Sequence, residues 1–262
     1  MALIYSSEPC QTAGTFTSNV VKAAPVKWDR KLVEESAYTQ AVVVNAGIAN
    51  ACTGEEGMEY CRRTAECAGK ELDIPTDAVL VASTGVIGMQ LPMDRICEGI
   101  RSMAPQLSEE LAAGNGAAKA IMTTDTHEKE AAVTFTVDGA QVTVGGMCKG
   151  SGMIHPNMCT MLSFVTTDLA IEKELLQEAL RTVVEDTYNM ISVDGDTSTN
   201  DTCLLLANGL AGNKKITEKD ASYDAFVEAL MEVNRTLAKM MAGDGEGATS
   251  ALRGKGCRRA LQ

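Results

Sequence analysis

Residues 149–160 read KGSGMIHPNMCT, a glycine-rich stretch that runs directly into the apolar segment MLSFV. Such a loop can bring backbone N–H groups close to a substrate, because glycine lacks a Cβ and tolerates positive φ. It also delivers Thr160 to the first position of an expected strand. A threonine in that place can serve as a self-processed nucleophile. If the Cys159–Thr160 peptide bond is cut, Thr160 gains a free α-amine beside its own Oγ. An α-amine has a reference pKa of about 7.7–8.0 and can accept a proton near neutral pH. One residue then supplies both nucleophile and base for acyl transfer. The plainer account is that threonine favours β geometry at a strand start. Three further segments share this composition: Ser83-Thr84-Gly85, residues 194–201 (DGDTSTND) and residues 243–249 (GDGEGAT). Taken singly, each is equally a turn.

Other chemistries fail on counting or spacing. Only two histidines exist, His127 and His155, and neither has a second histidine at i+4, so a zinc helix is not indicated. A Ser-His-Asp arrangement lacks its G-x-S-x-G elbow. Asp194, Asp196, Ser198 and Asn200 resemble the start of a calcium loop. Its sixth position, however, is Thr199 rather than Gly, and its twelfth is Leu205 rather than Glu. No segment fits a phosphate-binding G-x-x-x-x-G-K-[ST]. The reading is of a protein with no metal and no resident cofactor. The 262 residues carry 23 Lys+Arg against 35 Asp+Glu, a formal net charge of −12. That balance argues against nucleic acid or an anionic membrane surface as a partner, since both would repel it. No window approaches the ~18 apolar residues of a membrane span, and the start MALIYSSEPC lacks a signal-peptide pattern. The nine cysteines are odd in number and include no C-x-x-C, the usage of a reducing compartment in which cysteine serves as a small hydrophobe. A cytoplasmic location is expected.

The elements that must position these residues follow from periodicity. Hydrophobic residues make up 45% of the chain but aromatics only 4%, so the core must be built from Ala, Val, Ile, Leu and Met. QAVVVN (40–45), AVLVA (78–82), MLSFVT (161–166) and TCLLLA (202–207) read as buried strands. Residues 132–137 and 141–144 flank Asp138-Gly139, a strong hairpin signal. Helical spacing is seen over 55–72, 94–103, 108–122, 172–185 and 225–241. The first forty residues read as extended and loop-rich, with a proline in AAPVKW. Strands and helices are intermixed, which implies an α/β or α+β layered sheet. No linker divides the chain.

Six motifs in order, NAGIANACTG, STGVIG, TTDT, KGSGMIHPNMCTMLSFVTTD, VDGDTSTND and GDGEGAT, resemble those of the ornithine acetyltransferase family, also called the bifunctional glutamate N-acetyltransferase (ArgJ) family. The resemblance runs from about residue 2 to 249. It implies a DmpA/ArgJ-like layered α/β/β/α sandwich of the N-terminal-nucleophile type. It also implies a precursor that cuts itself into two associated chains, 1–159 and 160 onward, assembled as two of each. The family moves acetyl from N-acetylornithine, and in some members from acetyl-CoA, to glutamate in arginine biosynthesis.

Carried over by motif, Thr160 is the nucleophile and the cut falls between Cys159 and Thr160. Family members often have Ala before the nucleophile, and Cys159 is of similar small size. Thr84 and Gly85 match the oxyanion-hole pair, while Thr123, Lys149, Thr160 and Glu246 match substrate-contacting positions. Outside the family context, Lys149 would read as a solvated surface lysine and Glu246 as a turn carboxylate. Family chains begin earlier and continue past GDGEGAT, so the resemblance implies a chain truncated at both ends, chiefly the C-terminus. Residues 250–262 (SALRGKGCRRALQ) form an atypical basic tail. Two alternatives remain: an aminopeptidase or amidase of the same fold, in which water takes the acyl group, and an inactive fragment.

Overall fold

Short runs of branched apolar residues form strands buried on both faces, and each face meets a different core. In the computed structural model, which describes residues 1–153, 161–247 and Thr249, QAVVVN lies in β2 (Thr39–Ile48) and AVLVA in β3 (Val79–Val86). Val42, Val44, Leu80 and Ala82 face one cluster, whereas Ala41, Val43, Val79 and Val81 face another. The alternation follows the two-residue period of a strand, and burial of both sides explains the unbroken apolar sequence. The same rule holds in β6 (Leu162–Thr167), β7 (Thr202–Ala207) and the last residues of β5 (Ala140–Lys149). There Met147, Leu162, Phe164, Leu204 and Leu206 point to the first cluster, and Val144, Val165, Cys203 and Leu205 point to a third.

Three clusters between alternating layers define an α/β/β/α arrangement. The outer helices on one side are α2 (Gly54–Leu72) and α3 (Met93–Met103), over β2 and β3. On the other side α5 (Lys173–Glu185) and α6 (Ala221–Gly243) cover β5 to β7. The middle cluster joins the inner faces of both strand groups, and α4 (Leu111–Ala120) contributes Ala118 to it. Strand β1 (Ala2–Phe16) links the groups. Its first part pairs antiparallel with β2 through Ala2–Val44 to Cys10–Thr39, and its second part pairs with β7 through Gln11–Ala207 to Phe16–Thr202. The full order is β3-β2-β1-β7-β6-β5-β4, with β4 spanning Lys129–Val137. The expected layered sandwich is therefore found.

Two parallel pairs, β2 with β3 and β6 with β7, each need a crossover, supplied by α2 and α5. The β4–β5 hairpin turns at Asp138 (φ 51°) and Gly139 (φ 83°), as the Asp-Gly pair requires.

Two expectations need correction. The first forty residues are not loop-rich: β1 takes 15 of them, and α1 (Ala24–Glu35) takes 12 more. The proline of AAPVKW lies in the first turn of α1, where a missing N–H costs nothing. The cysteines are not all free hydrophobes. Cys10, Cys61, Cys148 and Cys203 are free and buried, but Cys67 on α2 and Cys97 on α3 form a disulfide across the helix pair. They are 30 residues apart in sequence, and only the packing of both helices on one sheet face brings them together.

Phe164 is 2% exposed and fills the middle cluster. Phe164→Ala should cost about 3–5 kcal/mol of stability, read as a lowered urea midpoint. A loss below about 1 kcal/mol would mean that the two strand groups do not close on this side chain.

Candidate active site

The end of β3 is fixed by a close approach between two glycines. In the parallel β2–β3 register, Asn45 is opposite Ser83, Ala46 opposite Thr84 and Gly47 opposite Gly85. Gly47 has φ 116° and Gly85 φ 128°, and a Cβ on Gly85 would sit 2.2 Å from the Gly47 carbonyl carbon. Only glycine allows this contact and this backbone. The Ser83 hydroxyl donates to Asn45 Oδ1 at 2.6 Å, and buried Asn200 donates from Nδ2 to the Ser83 and Ala49 carbonyls at 2.8 and 2.6 Å. Residues 194–201 are thus tied to the strand end that carries Thr84. One position on, Asp201 Oδ1 accepts from the Met161 N–H at 3.0 Å at the entry to β6. Burial pushes the Asp201 carboxyl well above the usual carboxylate range, against the pull of that N–H.

Lys149, the last residue of β5, reaches the same place. It is 1% exposed, and its Nζ donates to Thr123 Oγ1 at 2.8 Å and to Thr84 Oγ1 at 3.5 Å. It is not a solvated surface lysine. Asp125 Oδ2 lies 3.8 Å from the ammonium. Burial lowers the Lys149 pKa, although Asp125 acts in the opposite direction. Beyond Lys149, the Ser151 carbonyl accepts from the Glu246 N–H at 2.7 Å. The Glu246 carboxyl lies against Gly152, where a Cβ would come 2.6 Å from its Cδ. The fold brings Thr84, Gly85, Thr123 and Lys149 together and sets Glu246 beside the loop that leaves Lys149. Cys159, Thr160 and His155 lie outside the described residues.

Beneath these groups is an ion network that sequence reasoning missed. Lys129, fully buried at the start of β4, donates to Asp125 Oδ1 at 2.8 Å and to Asp244 Oδ2 at 2.6 Å. Asp125 Oδ1 also accepts from the Gly150 N–H at 2.7 Å, and Asp244 accepts from the Thr126 N–H and hydroxyl. Burial opposes charge on both carboxyls, but Lys129 and these donors outweigh it. Asp125 is held below the usual range, and Asp244 falls to about 2. The only sequence hint was TTDT, which marked the segment without showing that its aspartate turns inward. Chemically, an ammonium, two hydroxyls and a tightly turned strand end can stabilise a carboxylate or an oxyanion. A cleft of about 990 Å³ between Met1–Tyr5, α4 and β4–β6 is lined by none of these residues.

A two-group α/β/β/α sandwich, with polar donors gathered at a glycine-locked strand end, is the class of protein that these features define. The sequence matches the ArgJ family model over residues 1–255, and the chain belongs to the ArgJ family. The arginine biosynthesis bifunctional protein ArgJ of Symbiobacterium thermophilum is 55% identical over 252 residues, 96% of this chain and 62% of its own length. That of Thermotoga neapolitana is 51% identical over 253 residues, 96% of this chain and 63% of its own. The chain therefore spans somewhat less than two thirds of the relatives it matches. Among solved structures, the ArgJ protein of Bacillus halodurans superposes with a TM-score of 0.56 at 42% identity, covering 61% of this chain and 81% of its own. Ornithine acetyltransferase of Mycobacterium tuberculosis, solved with ornithine, gives 0.52 at 33% identity over 61% of this chain and 82% of its own.

Two predictions follow from this geometry. Gly85→Ala should cost more than about 2 kcal/mol of stability, because the clash is with backbone and no rotamer relieves it. An unchanged urea midpoint would contradict the glycine contact. Asp244, with a folded pKa of about 2, ionises more readily in the folded state than in the unfolded chain, whose reference is about 3.9. Its contribution is complete above about pH 4 and is lost as pH falls through about 2. Urea midpoints should therefore decline over that window, and less steeply in Asp244→Asn; equal slopes would contradict the assignment.

Proposed function

We propose that this chain carries the nucleophile-bearing part of an autoprocessing acetyltransferase that moves acetyl from N-acetylornithine to glutamate in arginine biosynthesis. The observation that carries the reading is the convergence of buried Lys149 with Thr84 and Thr123 at the Gly85 strand end. Membership of the ArgJ family supports it, as does the ornithine held by the Mycobacterium tuberculosis relative.

In the first stage, Thr160 Oγ attacks the Cys159 carbonyl, and the acyl group passes from nitrogen to oxygen. Water then cleaves the ester, leaving a Cys159 carboxylate and a Thr160 α-amine. In the second stage that amine takes the Oγ proton as Oγ attacks the acetyl carbonyl of N-acetylornithine. Thr84 and the Gly85 strand end bear the negative oxygen, while Lys149 and Thr123 stand ready for it or for a substrate carboxylate. Ornithine leaves with the proton on its amine. The acetyl-Thr160 ester is attacked by the glutamate amine, giving N-acetylglutamate by ping-pong kinetics. Glu246 holds the substrate's ammonium group. Acetyl-CoA serves as an alternative acetyl donor. The 1–159 and 160-onward chains stay associated, two of each, in the cytoplasm.

Denaturing electrophoresis tests the first stage. Wild-type chain should separate into pieces of 159 and 103 residues, and Thr160→Ala should stay whole and lose acetyl transfer by more than about 1,000-fold. A cut Thr160→Ala chain would refute the assignment. Cutting without transfer, with acetate released to water instead, would favour the amidase reading.

A further inference from the structure

The interior holds two lysines and two aspartates whose contacts are unequal in an informative way. Asp125 Oδ1 is occupied by Lys129 Nζ at 2.8 Å and by the Gly150 N–H at 2.7 Å. Its Oδ2 is shared with the Thr123 N–H at 3.2 Å, so Lys149 stands off at 3.8 Å. The short bond of Lys149 goes instead to Thr123 Oγ1 at 2.8 Å, with Thr84 Oγ1 at 3.5 Å. Lys129 itself is saturated, with Asp125, Asp244 and the His127 carbonyl around its Nζ. The network also touches each segment assigned to substrate. Asp125 is two residues from Thr123, Gly150 follows Lys149, and Asp244 is two residues before Glu246.

We propose that Lys129 is a positioning residue for Lys149: by occupying Asp125, it keeps the second ammonium turned toward the Thr84 and Thr123 hydroxyls, where a substrate carboxylate or an oxyanion binds. The inference rests on the acetyl-transfer reading for what binds there. The physical reason is competition for one carboxylate. A lysine with sole claim on Asp125 would close to a full ion pair and withdraw from the threonines, since an ammonium gains more from a carboxylate at contact than from an uncharged hydroxyl. Two carboxylates and two ammoniums leave the four-group cluster neutral, and removing the charge of either lysine leaves two carboxylates with one ammonium between them. The titratable groups that act on Lys149 are Asp125 before β4, Lys129 on β4, Asp201 before β7 and Glu246 after α6. Lys129 is the one that repels it.

The test is an NMR titration of the full 262-residue chain with labelled lysine side chains, the Lys149 signal being identified by its loss in Lys149→Arg. In Lys129→Met, Asp125 passes wholly to Lys149, and the Lys149 midpoint should rise by about one pH unit or more. In Asp125→Asn it should fall by a similar amount, and in Lys129→Arg it should stay near the parent value. Lys129→Met leaves two buried carboxylates facing one ammonium and can fail to fold. The paired variant Lys129→Met with Asp244→Asn keeps the charge balance and should show the same rise. A folded variant lacking the Lys129 charge in which Lys149 titrates as in the parent, or lower, overturns the proposal. The reading is independent of turnover. Opposite shifts in a chain that transfers no acetyl would contradict the proposed function alone, and flat titrations in an active chain would contradict this inference alone.

Discussion

Burying an ammonium or a carboxylate alone costs several kcal/mol, and this fold buries two of each within one connected cluster. Lys129, Lys149 and Asp125 are almost wholly shielded from solvent, and Asp244 is nearly so. Each charge is tolerable only because the others are present, so the segments that carry them must arrive together. Those segments are the connection before β4, the end of β5 and the end of α6. Every residue that the family resemblance gives to substrate contact, other than Thr160, lies on one of them or directly against one. The cluster therefore converts a folding requirement into a constraint on where donor groups stand.

The layers explain how such distant segments meet. β4 and β5 form one hairpin, so Lys129 and Lys149 sit near the same end of adjacent strands, where Lys129 is paired opposite Cys148. α6 packs over that hairpin and stops at Asp244, which closes the network from above. From the other strand group, β3 ends at Gly85, and its glycine contact with Gly47 lets the backbone turn close to Lys149. Asn200 then bridges the two groups by binding carbonyls of Ser83 and Ala49 while its neighbour Asp201 holds Met161. Packing, rather than any single loop, sets the geometry.

Much of this was legible in the sequence, and the rest was hidden for identifiable reasons. The buried strands and the Asp-Gly hairpin announced themselves because branched residues and turn chemistry are local signals. α2, α3, α5 and α6 were visible through apolar spacing. β1 was obscured because it pairs with two different strands and shifts register between Tyr5 and Cys10, so no single alternation runs through it. α1 was hidden by its proline, although the first turn of a helix tolerates one. Thr84, Gly85, Thr123, Lys149 and Glu246 came from motif resemblance, and their proximity could not be seen in spacing. Lys149 would pass for a surface lysine because its burial depends on Asp125 and, through Lys129, on Asp244, a partner 115 residues from Lys129. The Cys67–Cys97 bond was missed for the same reason, since a pair joined through tertiary packing leaves no local pattern.

Glycine-locked strand end, shared carboxylate and hydroxyl pair converge near the entry to β6, where Lys149 is paired with Leu162, and the proposed nucleophile is Thr160. The most direct measurement is peptide mass spectrometry of the intact chain after exposure to N-acetylornithine. The account predicts a peptide that begins at Thr160 and carries an acetyl ester, discharged when glutamate is added. A single uncut polypeptide running through Cys159–Thr160, with no acetyl on any threonine, would contradict it.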